Sequence, residues 1–427
     1  MTTSRLRMVR AEAADSPRST FRLLVDRNFG LLTWGKFFST TAVWVHGVVA
    51  AIAIYSATGS ALAVGLITAV QFGPQLLTPL SGKWADHGDV KRQILLGRLV
   101  CATGAGGAAL VYAFGNLQGW SVAWAILACS CLVGIGFVIG GPAMQAVTPA
   151  LVTREELPAA MTLNTAPMTA ARLVGPALGA FIVTVSGPVA GFACATFGHI
   201  LCIAAVLLIK IPPRQIPAEE VDYRVRAALR HVWTDRPLLY LLIAIATVGF
   251  ASEPTITLAP ALAEELGGGS ELVGALTFSF GVGALVGIGI LAVFTRRLST
   301  EVFVGSGLAV MVLGALLTAV STIVVSALVG FGVIGVGFSL AVTAIGTGIQ
   351  LRIPPYLRGR IMALWLLAFT GTRPAGALLT GFTADLTTAR FAVAAMAVIP
   401  LLALVLCRPR SLRRPAPNPA PSYNVSN

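Results

Sequence analysis

Few ionisable side chains fall inside the long apolar stretches of this 427-residue chain, Lys36, His46, Arg172, Glu253 and Arg373 among them. Such groups are costly at membrane depth and by default mark functional sites there. Glu253 is the carboxylate among them. Burial in a low-dielectric cavity disfavours the charged form of a carboxyl, which brings it into the range where it can load and release a proton. Its counter-charge would come from Lys36, His46, Arg172 or Arg373. Two readings stand: a proton site where a cationic cargo competes with the proton, the logic of an antiporter, or a fixed ion pair. His46 can titrate near neutrality, although an ordinary hydrogen bond accounts for a single histidine equally well.

Arg172 and Arg373 lie near the middles of their apolar stretches. They either face a shared wet cavity and bind an anionic group, or each anchors its own surroundings through carbonyls and polar side chains such as Asn164. Gln71, Gln75, Gln145 and Gln350 add neutral polar groups, some of which should line a cavity. Trp34, Trp44 and Trp365 could form apolar cavity wall, interface anchors or simple packing. The dipeptide Glu253-Pro254 marks an expected break, and irregular backbone at membrane depth belongs beside a cavity.

These residues are positioned by membrane-spanning helices. Hydrophobic residues make up 56% of the chain and charged residues 11%, and the mean hydropathy is +0.84. That excludes a water-soluble domain of this size. Twelve apolar runs of the length a spanning helix needs are expected near 31–56, 61–82, 94–115, 119–144, 159–185, 188–209, 237–262, 271–294, 302–321, 323–350, 361–383 and 388–407. Their connections alternate in charge. One set carries Lys83, Lys91, Arg92, Arg154, the basic stretch 210–236, Arg296, Arg297, Arg352, Arg358 and Arg360; the other carries Arg390 alone. The positive-inside rule then places both termini and the central loop in the cytoplasm of a bacterial inner membrane. The net charge of +13 follows from this topology, so no nucleic-acid partner is expected. The six cysteines read as buried apolar residues rather than a disulfide or metal framework. No cleavable signal peptide is expected at the start.

The chain repeats itself. Val64 to Thr68 matches Val273 to Thr277, and Asp26-Arg27 matches Asp235-Arg236, at an offset of 209. Gly134 to Phe137 matches Gly335 to Phe338, and Arg172, Gly175 and Phe181 match Arg373, Gly376 and Phe382, at an offset of 201. The order predicts two six-helix halves, 29–209 and 237–407. A linker, 210–236, should join them and include an amphipathic helix over 218–233. A cytoplasmic tail, 1–28, precedes the halves, and a disordered tail, 408–427, follows. Parallel halves of this kind enclose a site near the bilayer midplane.

Gly82, Asp86 and the basic Lys91 and Arg92 of the second loop resemble the signature between helices two and three of the major facilitator superfamily, with His87 where an arginine usually follows the acid. Gly175-Pro176 resembles the Gly-Pro motif of its proton-coupled drug antiporters. Asn164 through Gly179 and Arg27-Asn28-Phe29 are similar to the branch of bacterial siderophore and multidrug exporters. The resemblance implies an all-α fold of twelve spanning helices, alternating access and a functional monomer. The motif residues Gly82, Asp86, Lys91, Arg92, Gly175 and Pro176 would latch or bend the halves. It points to a proton-coupled exporter of an amphipathic small molecule, with Glu253 and His46 for proton coupling and Lys36, Arg172, Arg373, Gln71, Gln75 and Asn164 for the cargo. The excess of intramembrane cations over Glu253 motivates an alternative, a carrier of anions such as organic acids or lysophospholipids. No phosphate-binding loop, metal-ligand spacing or nucleophile–base pair is present, so neither ATP, a cofactor nor enzymatic chemistry is expected.

Overall fold

The computed structural model describes residues 18–78, 81, 84, 89–153, 155–211, 225–295, 297–353 and 357–412. We number the spanning segments α1 to α12. They are α1, Phe29–Thr58; α2, Ala61–Phe72, continued by a 3-10 turn, Gly73–Leu77; α3, Val90–Phe114; α4, Trp120–Val147; α5, 157–186; and α6, 188–208. The second half has α7, Arg236–Ala251, with the short helices Pro254–Thr257 and Ala259–Glu265; α8, Ser270–Phe294; α9, Thr300–Ala319; α10, Val324–Arg352; α11, Arg358–Gly371 with Arg373–Leu386; and α12, Ala389–Leu406. Among the described residues, ten helices are long and apolar enough to cross a membrane, and one of them, ending at Leu208, is folded at Gly187 into two spans. With the shorter 61–77 segment this makes the expected twelve.

Local chemistry sets the ends. Asp26 accepts from the backbone amides of Asn28 and Phe29 at 2.9 and 2.7 Å, and Asp235 accepts from Leu238 at 3.2 Å. Both satisfy amides that a helix start leaves unpaired. Gly59, at φ +64°, ends α1 in the left-handed conformation, and Gly187, at φ +79°, turns α5 into α6. The second span departs from the uniform helix expected over 61–82: Gly73-Pro74 replaces its last described turn with a 3-10 turn. The break expected at Glu253-Pro254 is present, and α11 breaks at Thr372, just before Arg373-Pro374. In the linker the described helix runs Val225–Thr234. The expected start of that helix, the Gly82–Asp86 motif and the tail beyond residue 412 lie outside the described residues.

Within each half, glycines let helices touch through their backbones, the packing that substitutes for hydrophobic drive in lipid. The repeat is carried into this packing. A Cβ at Gly134 would collide with the Gln71 carbonyl, and one at its repeat-mate Gly335 with the Phe280 carbonyl, Phe280 lying 209 residues after Gln71. Between halves, α2 lies against α11 and α5 against α8. Cross-half hydrogen bonds gather at the face opposite the termini. Asp385, at the end of α11, accepts from Ser60 Oγ at 2.6 Å and from the Ala61 and Leu62 amides at 2.6 and 3.2 Å, capping α2 across the divide. Thr184 and Ser270 hydroxyls meet at 2.9 Å. Backbone contact is close there too: a Cβ at Gly65 would lie 2.5 Å from the Ala377 carbonyl oxygen.

Candidate functional site

Glu253 and Arg373 stand at the two helix breaks of the second half, and the breaks bring them together. Their side chains form an ion pair through Arg373 Nε and Glu253 Oε1, with Glu253 fully buried and Arg373 2% exposed. Glu253 Oε2 and Arg373 Nη2 have no hydrogen-bond partner in the structure. Removing two charges from water is repaid only by mutual attraction plus full hydrogen bonding, and here the hydrogen bonding is incomplete.

Arg172 comes to the same region from α5. Its guanidinium carbon lies 4.0 Å from the ring centre of Phe338, 5.3 Å from Trp44 and 5.6 Å from Phe280. Arg373 lies 4.2 Å from the ring centre of Phe72 and 5.6 Å from that of Trp44. These are cation–π distances. Each arginine thus reaches across to rings of the opposite half, Arg172 to Phe280 and Phe338, and Arg373 to Trp44 and Phe72. Gly175 allows the approach: a Cβ there would lie 2.5 Å from Trp44 Cβ. At the repeat-related Gly376 it would lie 3.3 Å from Glu253 Cγ. Trp44 and Glu253 are separated by 209 residues, so the same frame holds an aromatic ring in one half and a carboxylate in the other.

A narrow cavity opens beside this cluster. Trp44, Thr68, Gln71, Phe72, Pro176 and Arg373 are among its lining residues, whereas Glu253 is not. Gln71 is 5% exposed and its Nε2 has no partner.

Other predicted site residues fall elsewhere. His46 is fully buried, meets Ser130 Oγ at 2.9 Å through Nε2, and has its ring 5.2 Å from that of Phe192. Lys36 donates to Gln145 Oε1 at 3.1 Å. Neither is paired with Glu253. Gln75 sits in the 3-10 turn after α2 and its carbonyl accepts from Thr78 Oγ1 at 2.6 Å. Lys91 donates to the Leu207 and Ile209 carbonyls at 2.9 Å each, closing the end of α6 within its own half, and Arg92 pairs with Asp89 at 3.1 Å. Gly82 and Asp86, and the side chain of Asn164, lie outside the described residues.

Two buried ionisable groups escaped the sequence reading. Arg98 of α3 donates to Ser39 Oγ at 2.6 Å, and His199 Nδ1 of α6 meets the same hydroxyl at 3.1 Å. Arg98 lies early in its span, where it reads as a loop cation, and polar partners on α1 and α6 draw it inward. Phe72, Phe280 and Phe338 were missed because an aromatic in an apolar run carries no signal. Trp44 did have one: its repeat relation to Glu253.

Comparison with known proteins gives a consistent picture. The family described as transmembrane secretion effector matches residues 18–423. The enterobactin exporter EntS of Escherichia coli O1:K1 is 27% identical over 397 residues, 90% of this chain and 92% of that protein. The enterobactin exporter of Citrobacter koseri is 29% identical over 397 residues, 90% and 93% of the two chains. Among solved structures, a bacterial homologue of the human lysosomal transporter Spinster, inward-facing and unoccupied, superposes with a TM-score of 0.75 at 15% identity, covering 92% of this chain and 97% of that one. A bacterial homologue of the iron transporter ferroportin in an inward-facing state gives 0.66 at 19% identity, covering 93% and 100%. Both share the fold.

Proposed function

Since the chain belongs to the transmembrane secretion effector family of the major facilitator superfamily, and is therefore a multi-pass transporter of a small molecule rather than an enzyme, we propose that it exports an amphipathic, siderophore-like compound from the bacterial cytoplasm. The observation that carries this reading is the buried Glu253–Arg373 pair with Arg172 beside it, at mid-span, between two repeat-related halves. A cluster of charges there has no structural necessity in a helix bundle and is what a gated polar site requires. The curated relatives are named for enterobactin export, and that supports a cargo of similar kind. The alternation of basic and uncharged loops supports both termini facing the cytoplasm. The protein acts as a monomer in this reading, each chain holding a whole site.

Export proceeds by alternating access. The Asp385 cap and the Thr184–Ser270 bond close the outer face; rocking the halves apart there would release the cargo outside. Glu253 links the cycle to protons, because protonating it removes the charge that holds Arg373. A cationic cargo would compete with that proton, as in antiport. A cargo that engages the arginines would not.

The test is transport in proteoliposomes of the purified chain, with a panel of siderophores, dyes and lipids, with and without an imposed pH gradient. Siderophore movement that responds to the gradient in wild type and loses that response in Glu253→Gln is the expected result. Movement indifferent to the gradient removes the proton link, and an absence of movement for every compound removes the exporter reading.

A further inference from the structure

We propose that the two short helices leading into α1 and α7, Thr20–Val25 and Val225–Thr234, are matched docking surfaces for the headgroups of anionic phospholipids. The inference needs no assumption about the cargo or the direction of transport.

Each helix stands at the entrance to a spanning segment, α1 from Phe29 and α7 from Arg236, so it lies at the depth of the headgroups. The internal repeat relates the two: Asp26-Arg27 and Asp235-Arg236 follow them at an offset of 209. The first packs on α1 and α5, the second on the repeat-related α7 and α11. Leu23 pins the first helix to its bundle and Val232 the second, both side chains being buried.

The outward faces share a pattern. Phe21 is 73% exposed and Trp233 69%, with Val25 and Leu229 exposed beside them. Phe21 and Val25 are four residues apart, as are Leu229 and Trp233, so each pair runs along one side of its helix. An arginine follows the first member of each pair, Arg22 and Arg230, and another follows each capping aspartate, Arg27 and Arg236; all four are exposed. This is the composition of a helix lying in the membrane–water interface, where apolar side chains enter the acyl boundary and long cationic ones reach the phosphates. Trp34 of α1 extends the first surface. It is half exposed, and its indole N–H donates to the Leu24 carbonyl at 3.3 Å, the posture of an amphipathic ring at the interface.

The charge balance selects the headgroup. Among the described residues, none of the four arginines has a carboxylate partner. The adjacent aspartates are already engaged, Asp26 with the Asn28 and Phe29 amides and with Arg18, and Asp235 with the Leu238 amide. A zwitterionic headgroup brings its own cation with its phosphate, whereas phosphatidylglycerol brings the phosphate alone. A basic side chain at a membrane surface contributes about fivefold to anionic lipid binding.

Native mass spectrometry of the full chain, titrated in detergent with dioleoylphosphatidylglycerol and in turn with dioleoylphosphatidylcholine, isolates the headgroup because the acyl chains are identical. Wild type is expected to bind the glycerol lipid about fivefold or more tightly. Arg22→Gln with Arg27→Gln, and Arg230→Gln with Arg236→Gln, should each lower that preference, and the four together should bring the two lipids near parity. Either pair serves if the other fails to fold. Arg92→Gln, which removes an exposed arginine already paired with Asp89, should leave the preference unchanged. A wild type without preference, or a preference that survives the fourfold variant, overturns the proposal. So does an equal loss in Arg92→Gln, which would assign the effect to net charge. A dimer that the same substitutions dissolve would make these faces a contact between copies, and that overturns it too.

Discussion

The two halves hold an arginine at matching places and give it different company. In the first half Arg172 has Trp44 at the repeat-related position; in the second, Arg373 has Glu253. The backbones are prepared alike, with Gly175 and Gly376 admitting the neighbouring helix in each case. A duplicated frame has thus diverged in its side chains, Trp44 against Glu253 and Gln71 against Phe280, and with a single carboxylate for two arginines the site as a whole has an unbalanced positive charge. Symmetry supplies the geometry for two helices to meet at the midplane; its breaking supplies the electrostatics that a cargo and a proton can act on.

The largest effect should come from taking away one member of the pair. Arg373→Ala or Glu253→Ala alone leaves a buried charge unpaired, at a cost of about 3–5 kcal/mol. Removing both should cost less than the sum of the two, the signature of coupled neighbours. Thermal unfolding of the four proteins in one detergent measures this; additive losses would mean that the pair is not a coupled unit. Arg172→Ala should be milder. It forfeits cation–π contacts worth about 0.5–2 kcal/mol, so it should leave the fold largely intact while reducing transport. A loss equal to that of Arg373→Ala would erase the distinction between the halves. Trp44→Glu sharpens it from the other side: by giving Arg172 the carboxylate that Arg373 already has, it should make the two halves alike, so that Arg172→Ala in that background costs as much in thermal unfolding as Arg373→Ala does in wild type.

A gating contact tests the comparison at the outer face. Asp385 of the second half caps α2 of the first with three hydrogen bonds, two of them to amides at a helix start. Asp385→Asn keeps the shape and removes the charge, which should cost about 1 kcal/mol by the usual worth of such caps. The expected result is more frequent opening of that face, read as faster labelling of a cysteine placed at Ala61, which is 2% exposed while the face is closed. Unchanged labelling would show that backbone packing alone seals the face.

Much of the fold was written in the sequence because lipid leaves a chain few options. Each apolar run had to become a helix, and the helix starts and turns at Asp26, Asp235, Gly59 and Gly187 used residues whose local chemistry is specific. The break at Glu253-Pro254 was legible for the same reason. The site was legible in its charges and opaque in its partners. Sequence placed Glu253 at membrane depth and Arg172 and Arg373 near mid-span, but four cations stood as candidate partners for Glu253, and only tertiary packing selects Arg373. The same packing draws Lys36 to Gln145 and His46 to Ser130, away from the proton site expected of His46. Arg98 was invisible because its position near a span end hides how far Ser39 and the surrounding helices enclose it.

The smallest effect lies at the face bearing the termini, where the repeat pairs Asp26 with Asp235. In the first half Arg18 bonds Asp26 at 2.8 Å and also grips both oxygens of Glu156, at 2.7 and 2.8 Å; in the second, Arg352 stands 4.0 Å from Asp235. The Arg18 side chain and the Thr153 amide at 3.0 Å hold the Glu156 carboxyl well below the usual carboxylate range. A carboxyl depressed in the folded state stabilises fully above its unfolded value, about 4.3 for glutamate, and loses that contribution as pH falls through the lower folded value. Wild type and Glu156→Gln should therefore differ most in thermal midpoint at neutral pH and converge under strong acid. Asp235→Asn, which removes only a long and partly exposed ion pair, should show a smaller difference at neutral pH. Equal differences for the two variants would mean that the clamp formed by Arg18 adds nothing beyond the helix caps that both halves share.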